Sequence, residues 1–107
     1  MSFDADKAYD SILRAGEDWA DKQAAADLLE ETRKSVLARL MIGADATSQG
    51  GREMYALADE QYTDFVDGMV AARRAANKAR VRYDSAKVLA ELRRSQEATR
   101  RAEANIR

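Results

Sequence analysis

The residues of this sequence that could do chemistry are carboxylates, arginines and one short glycine-bearing stretch. Histidine and cysteine are both absent. That removes the side chain that titrates near neutral pH and the strongest common nucleophile. The carboxylates that cluster are Glu30-Glu31 and Asp59-Glu60. Neighbours on a helix point about 100° apart, so neither pair forms a pocket for acid–base work. A two-metal site in a helical bundle takes Glu-x-x-His pairs, and this chain has no His to supply them. The residues argue against an enzyme and offer no cofactor site and no metal ligands.

The glycines concentrate in Gly43-Ala-Asp-Ala-Thr-Ser-Gln-Gly-Gly51. A phosphate-cradling loop would follow a strand and continue into Gly-Lys-Ser/Thr, and neither is present. The stretch reads instead as a connector over residues 43–51. Gly43 ends one helix, and Thr47 or Ser48 caps the next.

The elements on either side are helical. Apolar residues recur at three- and four-residue steps through Tyr9, Ile12, Leu13, Trp19, Ala26, Leu29, Val36, Leu37 and Leu40, which predicts a helix over about 4–42. Ser2 or Asp4 caps it, and Asp4, Asp6 and Asp10 suit its positive dipole end. Gly16 weakens it by about 1 kcal/mol relative to Ala without stopping it. Gln23, Glu30 and Arg33 fall where a strict heptad from Tyr9 and Ile12 wants apolar groups, so the stripe is expected to drift around the helix.

A second helix is predicted over about 52–104. One heptad position reads Tyr55, Tyr62, Met69, Ala76, Tyr83, Ala90 and its partner reads Ala58, Phe65, Ala72, Ala79, Ala86. This seam carries large residues first and alanines later, so a facing helix can approach most closely in its second half. No strong stop precedes Ala104. In an antiparallel hairpin, Asp4–Ile42 lies beside Arg52 to about Ala90 and leaves Glu91–Arg107 overhanging, with Arg93, Glu97 and Arg100 next in the seam. That end reads as a solvated helix knitted by pairs such as Arg93 with Glu97 and Glu97 with Arg101, or as a docking segment.

Composition agrees with long helices. Ala, Glu, Lys, Leu and Arg make up just over half of the 107 residues, and there is no proline. Alanine accounts for 22 of the apolar residues, so the supply of larger core side chains is thin for one domain of this size. Partner helices are the natural remedy. The start Met1-Ser2-Phe3-Asp4 lacks the pattern of a signal peptide, and no apolar run approaches the ~20 residues a membrane span needs. The expected location is cytoplasmic, with no membrane partner and no small-molecule substrate.

The net charge of −1 hides an asymmetry. Residues 1–70 hold 7 basic and 15 acidic side chains, net −8, whereas residues 71–107 hold 11 basic and 4 acidic, net +7. A basic helical end invites a nucleic-acid reading, because lysines and arginines release counterions from phosphate. A hairpin instead sets that half beside the acidic start of the first helix, with Arg73 and Arg74 near Asp18 and Asp21 and Arg80 and Arg82 near Asp10. Charge complementarity that fixes register or selects a subunit is the simpler account. Tyr55, Tyr62 and Tyr83 could stack on bases, but their heptad positions make them packing residues.

Several segments of the second half resemble a group of short helical phage and prophage proteins found near recombination genes, beside exonucleases and single-strand annealing proteins. The segments are Ser48 with Arg52-Glu53, Tyr62, Ala79-Arg80-Val81-Arg82-Tyr83-Asp84, and Glu91-Leu92-Arg93-Arg94-Ser95-Gln96-Glu97-Ala98-Thr99-Arg100-Arg101-Ala102-Glu103. The likeness spans about residues 20–105. It implies a context in phage DNA metabolism and transfers no activity and no site.

The expected fold is therefore all-α, a long antiparallel helical hairpin of coiled-coil character in a single domain, self-associating into a bundle. Its interface anchors are Ile12, Trp19, Leu37, Leu40, Tyr55, Tyr62, Phe65, Met69 and Tyr83. The expected function is non-catalytic interaction and homo-oligomerisation, with a phage or host protein as a further partner and an accessory role in recombination or replication. One rival is direct DNA binding through Arg93, Arg94, Arg100 and Arg101. Another is a small phage inhibitor of a host protein.

Overall fold

The computed structural model describes residues 3–106. Among them the chain is all-α, with α1 over Ala5–Ile42, α2 over Gln49–Ala58, α3 over Glu60–Ile106, and no strand. The expected helical hairpin is present. Asp4 caps α1: its Oδ1 accepts hydrogen bonds from the backbone N–H of Asp6 at 3.0 Å and of Lys7 at 3.1 Å. This satisfies donors that the first helical turn leaves without partners. The alternative cap, Ser2, lies outside the described residues.

Two boundaries differ from the sequence expectation. The Gly43–Gly51 stretch is not loop throughout, because Ser48 starts a helix at Gln49. The Ser48 Oγ accepts from the Gly51 N–H at 3.0 Å, and the Ser48 carbonyl accepts from the Arg52 N–H at 2.9 Å. Gly51 suits that turn, since a Cβ there would sit 2.9 Å from the Ser48 Oγ. Gly43 does follow the end of α1, but with an ordinary φ. The turn tightens through an Ala44 N–H donated to the Met41 carbonyl at 3.1 Å.

The second difference is a break at Asp59 inside the stretch expected to be one helix. Asp59 is extended at φ −67° and ψ 135° and donates its N–H to the Ala56 carbonyl at 3.1 Å, which closes α2. Its Oδ1 accepts from the Gln61 N–H at 2.7 Å, and its carbonyl accepts from Tyr62 and Thr63, which opens α3. A short acidic side chain competes for local backbone donors in this way. One residue thus caps two helices.

The chain divides into two compact units, one over Lys22–Ala76 and the other joining the residues up to Asp21 with those from Asn77 onward. In the first unit the chain reverses through residues 43–48 and α2, and Arg73 returns to Asp27 and Glu30 of α1. Arg52 donates from Nε to the Ala46 carbonyl at 2.9 Å and ties the connector to α2. In the second unit α1 and α3 run antiparallel. Gly16, Asp18 and Trp19 meet Arg82 and Tyr83, while Asp4 and Lys7 share a groove with Arg93, Gln96 and Arg100.

These contacts correct the expected register. Arg73 pairs with Asp27 and Glu30 instead of lying near Asp18 and Asp21, and Arg82 pairs with Asp18 instead of Asp10. The cause is α2, which takes up chain in the reversal and delays the pairing of α3 with α1. For the same reason Glu91–Arg100 is no overhang: the start of α1 lies alongside it.

The seam of α3 follows the predicted heptad from Tyr62 onward. Tyr62, Phe65, Met69, Ala72, Tyr83, Ala86 and Ala90 are half-buried, and Ala76 and Ala79 are buried. In α1 the inward row is Ala8, Ile12, Ala15, Trp19, Lys22, Ala26 and Leu29, a steady three-four alternation. Of the expected stripe, Ile12, Trp19, Ala26, Leu29, Val36, Leu37 and Leu40 are buried or half-buried, whereas Tyr9 and Leu13 are exposed. Small Ala8 and Ala15 face inward, and the larger neighbours are left outside.

The double role of Asp59 is testable. Asp59→Ala should destabilise the chain by about 1 kcal/mol through loss of the cap, read as a lower urea midpoint.

Candidate interaction surface

Helix pairing turns inward all but one of the anchors expected from the sequence. Ile12, Trp19, Leu37, Leu40, Tyr62, Phe65, Met69 and Tyr83 are half-buried, on the inward faces of α1 and α3. Tyr55 is 50% exposed. The break at Asp59 resets the rotation of α2, so Ala56 turns inward and is buried in its place.

One of these contacts is aromatic. The rings of Trp19 and Tyr83 lie 5.5 Å apart, tilted by 33°, within the range of favourable aromatic pairs. Gly16 makes room for this: a Cβ on it would come within 3.1 Å of Tyr83 Cε1. Two cations close over the pair, Arg80 at 5.8 Å from the Trp19 ring and Lys87 at 4.5 Å from the Tyr83 ring. The glycine that weakens α1 as a helix is what lets the ring of α3 approach it.

Of the clustered carboxylates, Glu30 and Asp59 have structural partners. Arg73 donates from Nε and Nη2 to the two carboxylate oxygens of Glu30, both at 2.9 Å, and from Nη2 to Asp27 at 2.5 Å. This two-pronged geometry is the strong form of an ion pair. The hydrogen bond from Arg73 holds the Glu30 carboxyl below its ordinary value, and the same pairing raises the Arg73 guanidinium. Asp59 is committed to its two caps. Among the described residues no group of His, Cys, Asp or Glu has the arrangement of a metal site.

The C-terminal arginines are distributed along one exposed helix. Arg94 pairs with Glu91 at 2.9 Å, while Arg100 and Arg101 flank Glu97 at 3.5 and 3.7 Å. The Glu97–Arg101 pair expected from the sequence is thus formed. Glu97 occupies the next heptad position of the seam, and its side chain is only 16% exposed. A charge held that close to apolar neighbours keeps its partners on its own helix. Arg93 lines a groove of about 560 Å³ with Phe3, Lys7, Leu89 and Gln96.

The burial pattern is lopsided. Among the described residues every buried hydrophobic residue is an alanine, namely Ala26, Ala56, Ala76 and Ala79, and no large side chain is fully buried. On the outside, Tyr9 is 65% exposed, Val81 64%, Val88 68% and Leu92 54%, and Leu28, Ile42, Met54 and Val70 are also largely exposed. The outward residues of α3 were not singled out from the sequence. The signal was there in the absence of charge at every position of a second heptad, Val81, Ser85, Val88, Leu92, Ser95, Thr99, Ala102 and Ile106.

No family model, curated protein or solved structure matches this chain. No helix among the described residues is long and apolar enough to cross a membrane.

The Arg73 pairing predicts an acid limb of known sign. The Glu30 carboxyl is depressed in the folded chain, so its contribution is present above the unfolded carboxylate value of 4.5 and fades as pH falls through the lower folded value. Urea midpoints measured between pH 7 and pH 3 should fall on acidification. Arg73→Met should lower the midpoint at pH 7 and flatten the acid limb; an unchanged slope would show that the pair does not stabilise the fold.

Proposed function

We propose that this protein is a non-catalytic helical interaction module that works through self-association. The observation that carries this reading is the inverted burial: alanines fill the interior while Tyr9, Leu28, Val70, Val81, Val88 and Leu92 face outward. Burying apolar surface contributes about 25 cal/mol per Å², and alanine has little to bury. A second set of helices against the outward residues supplies what the hairpin cannot. Exposed apolar faces of this kind mark interaction surfaces.

Such a module suits an accessory role beside the proteins of phage recombination or replication, the context implied by the resemblance of its second half. It would act there by organising other proteins, with no reaction of its own, and cytoplasmic location fits that role.

Direct nucleic-acid binding is the second reading, supported by the exposure of Arg93, Arg94, Arg100 and Arg101. Three of the four already neighbour Glu91 or Glu97 on the same helix, which reduces the positive field they offer to phosphate.

Light scattering coupled to size exclusion, at low and high salt and with a labelled single-stranded oligonucleotide, separates the readings. Self-association predicts a multimer of the 11.9 kDa chain that ignores the oligonucleotide. A monomer that takes up oligonucleotide at low salt and releases it at high salt would replace this reading with the nucleic-acid one.

A further inference from the structure

The C-terminal part of α3 carries a second face, distinct from the one that packs on α1. Val81, Ser85, Val88, Leu92, Ser95, Thr99, Ala102 and Ile106 recur at alternating steps of four and three residues, and all are exposed. None is charged, on a helix segment where charge is otherwise dense. Alternation of this kind is the pattern of a coiled-coil seam. The residues that pack on α1, such as Ala79, Tyr83, Ala86 and Ala90, belong to other heptad positions and point elsewhere.

We infer that this face pairs with the same face of a second copy, antiparallel, about a two-fold axis close to Arg93 and Arg94. The inference rests on the self-association proposed above and specifies its surface and geometry. In an antiparallel pair the two seam positions face one another, which sets Val81 against Ile106, Ser85 against Ala102, Val88 against Thr99 and Leu92 against Ser95, each twice by symmetry. Every layer then contains at least one apolar side chain. A parallel pair would stack Ser85, Ser95 and Thr99 on their own copies in three polar layers.

The flanking charges favour the same arrangement. With the seam in that register, Arg82, whose Nη2 lies 3.5 Å from Asp18 of its own α1, also faces Glu103 of the second copy, again twice. The other flanking residues oppose one another as Leu89 with Gln96, Asp84 with Asn105 and Glu91 with Ala98, so no like charges meet. Parallel pairing sets Asp84 by Leu89, Glu91 by Gln96 and Ala98 by Glu103, with no attractive pair. Opposite charges across a seam set partner choice and orientation. The strip is roughly 39 Å long at 1.5 Å per residue and one helix wide, at the small end of specific interfaces. Association is therefore expected at micromolar protein and to reverse on dilution.

The chain lacks cysteine, so single introduced thiols report this geometry directly. Val88→Cys and Thr99→Cys are prepared separately, then mixed, exchanged at high concentration and treated with a short bis-maleimide. Antiparallel pairing predicts covalent dimer in the mixture and little in either variant alone. Dimer formed by each variant alone would show parallel pairing and overturn the inference. Absence of covalent dimer in all samples, with a multimer still seen by light scattering, would place the contact on another face and leave the self-association reading standing. A monomer by both methods would remove both. As a second test, Glu103→Arg should weaken association several-fold by setting an arginine against Arg82 of the second copy; an affinity equal to that of the unchanged chain would exclude the flanking pair.

Discussion

The structure depends on a seam made of alanines. The side chains buried along α1 and α3 are alanines, Ala26, Ala76 and Ala79. The large residues that share these rows, Ile12, Trp19, Phe65 and Met69, are only half-buried. Large rings meet across the seam at Trp19 with Tyr83, where Gly16, having no side chain, leaves room for the tyrosine. The molecule thereby gains a well-defined helical pairing and forgoes a large apolar core. The outward valines and leucines of α3 are the other half of that arrangement.

Register is held by polar contacts more than by the seam, since a row of alanines packs equally well after a shift of one heptad. Arg73 binds Asp27 and Glu30 in one unit, and Arg82 with the aromatic pair fixes the other. Ion pairs this exposed add little stability in water, but a shifted register would forfeit all of them together. The acidic first half and basic second half of the chain serve this selection, which also explains why a net charge near zero conceals two strongly charged segments.

Much of this was legible in the sequence. The helical class, the connector after Gly43, the capping by Asp4 and Ser48 and the heptad from Tyr62 to Ala90 all follow from periodicity and cap chemistry. Periodicity failed at Tyr9 and Leu13, which share the expected stripe with Ile12, Trp19, Ala26 and Leu29 but lie exposed, while the smaller Ala8 and Ala15 take the inward positions. It failed again at Asp59, where helix-forming residues on both sides hide a cap, and that missed break carried the register error with it. The anchors are therefore mostly found at the expected residues, but facing the chain's own helices. The outward face of α3 escaped notice because half of it is Ser, Thr and Ala, which announce themselves only by the absence of charge.

The central claim is that a second copy covers what the alanine seam leaves exposed. Thermal unfolding followed by circular dichroism over a hundredfold range of protein concentration tests it most directly, because association that stabilises the folded chain makes the midpoint depend on concentration. The account predicts a midpoint that climbs steadily with concentration. A single cooperative transition at the same temperature throughout would contradict it, and would mean that the hairpin is stable alone with its outward face bare.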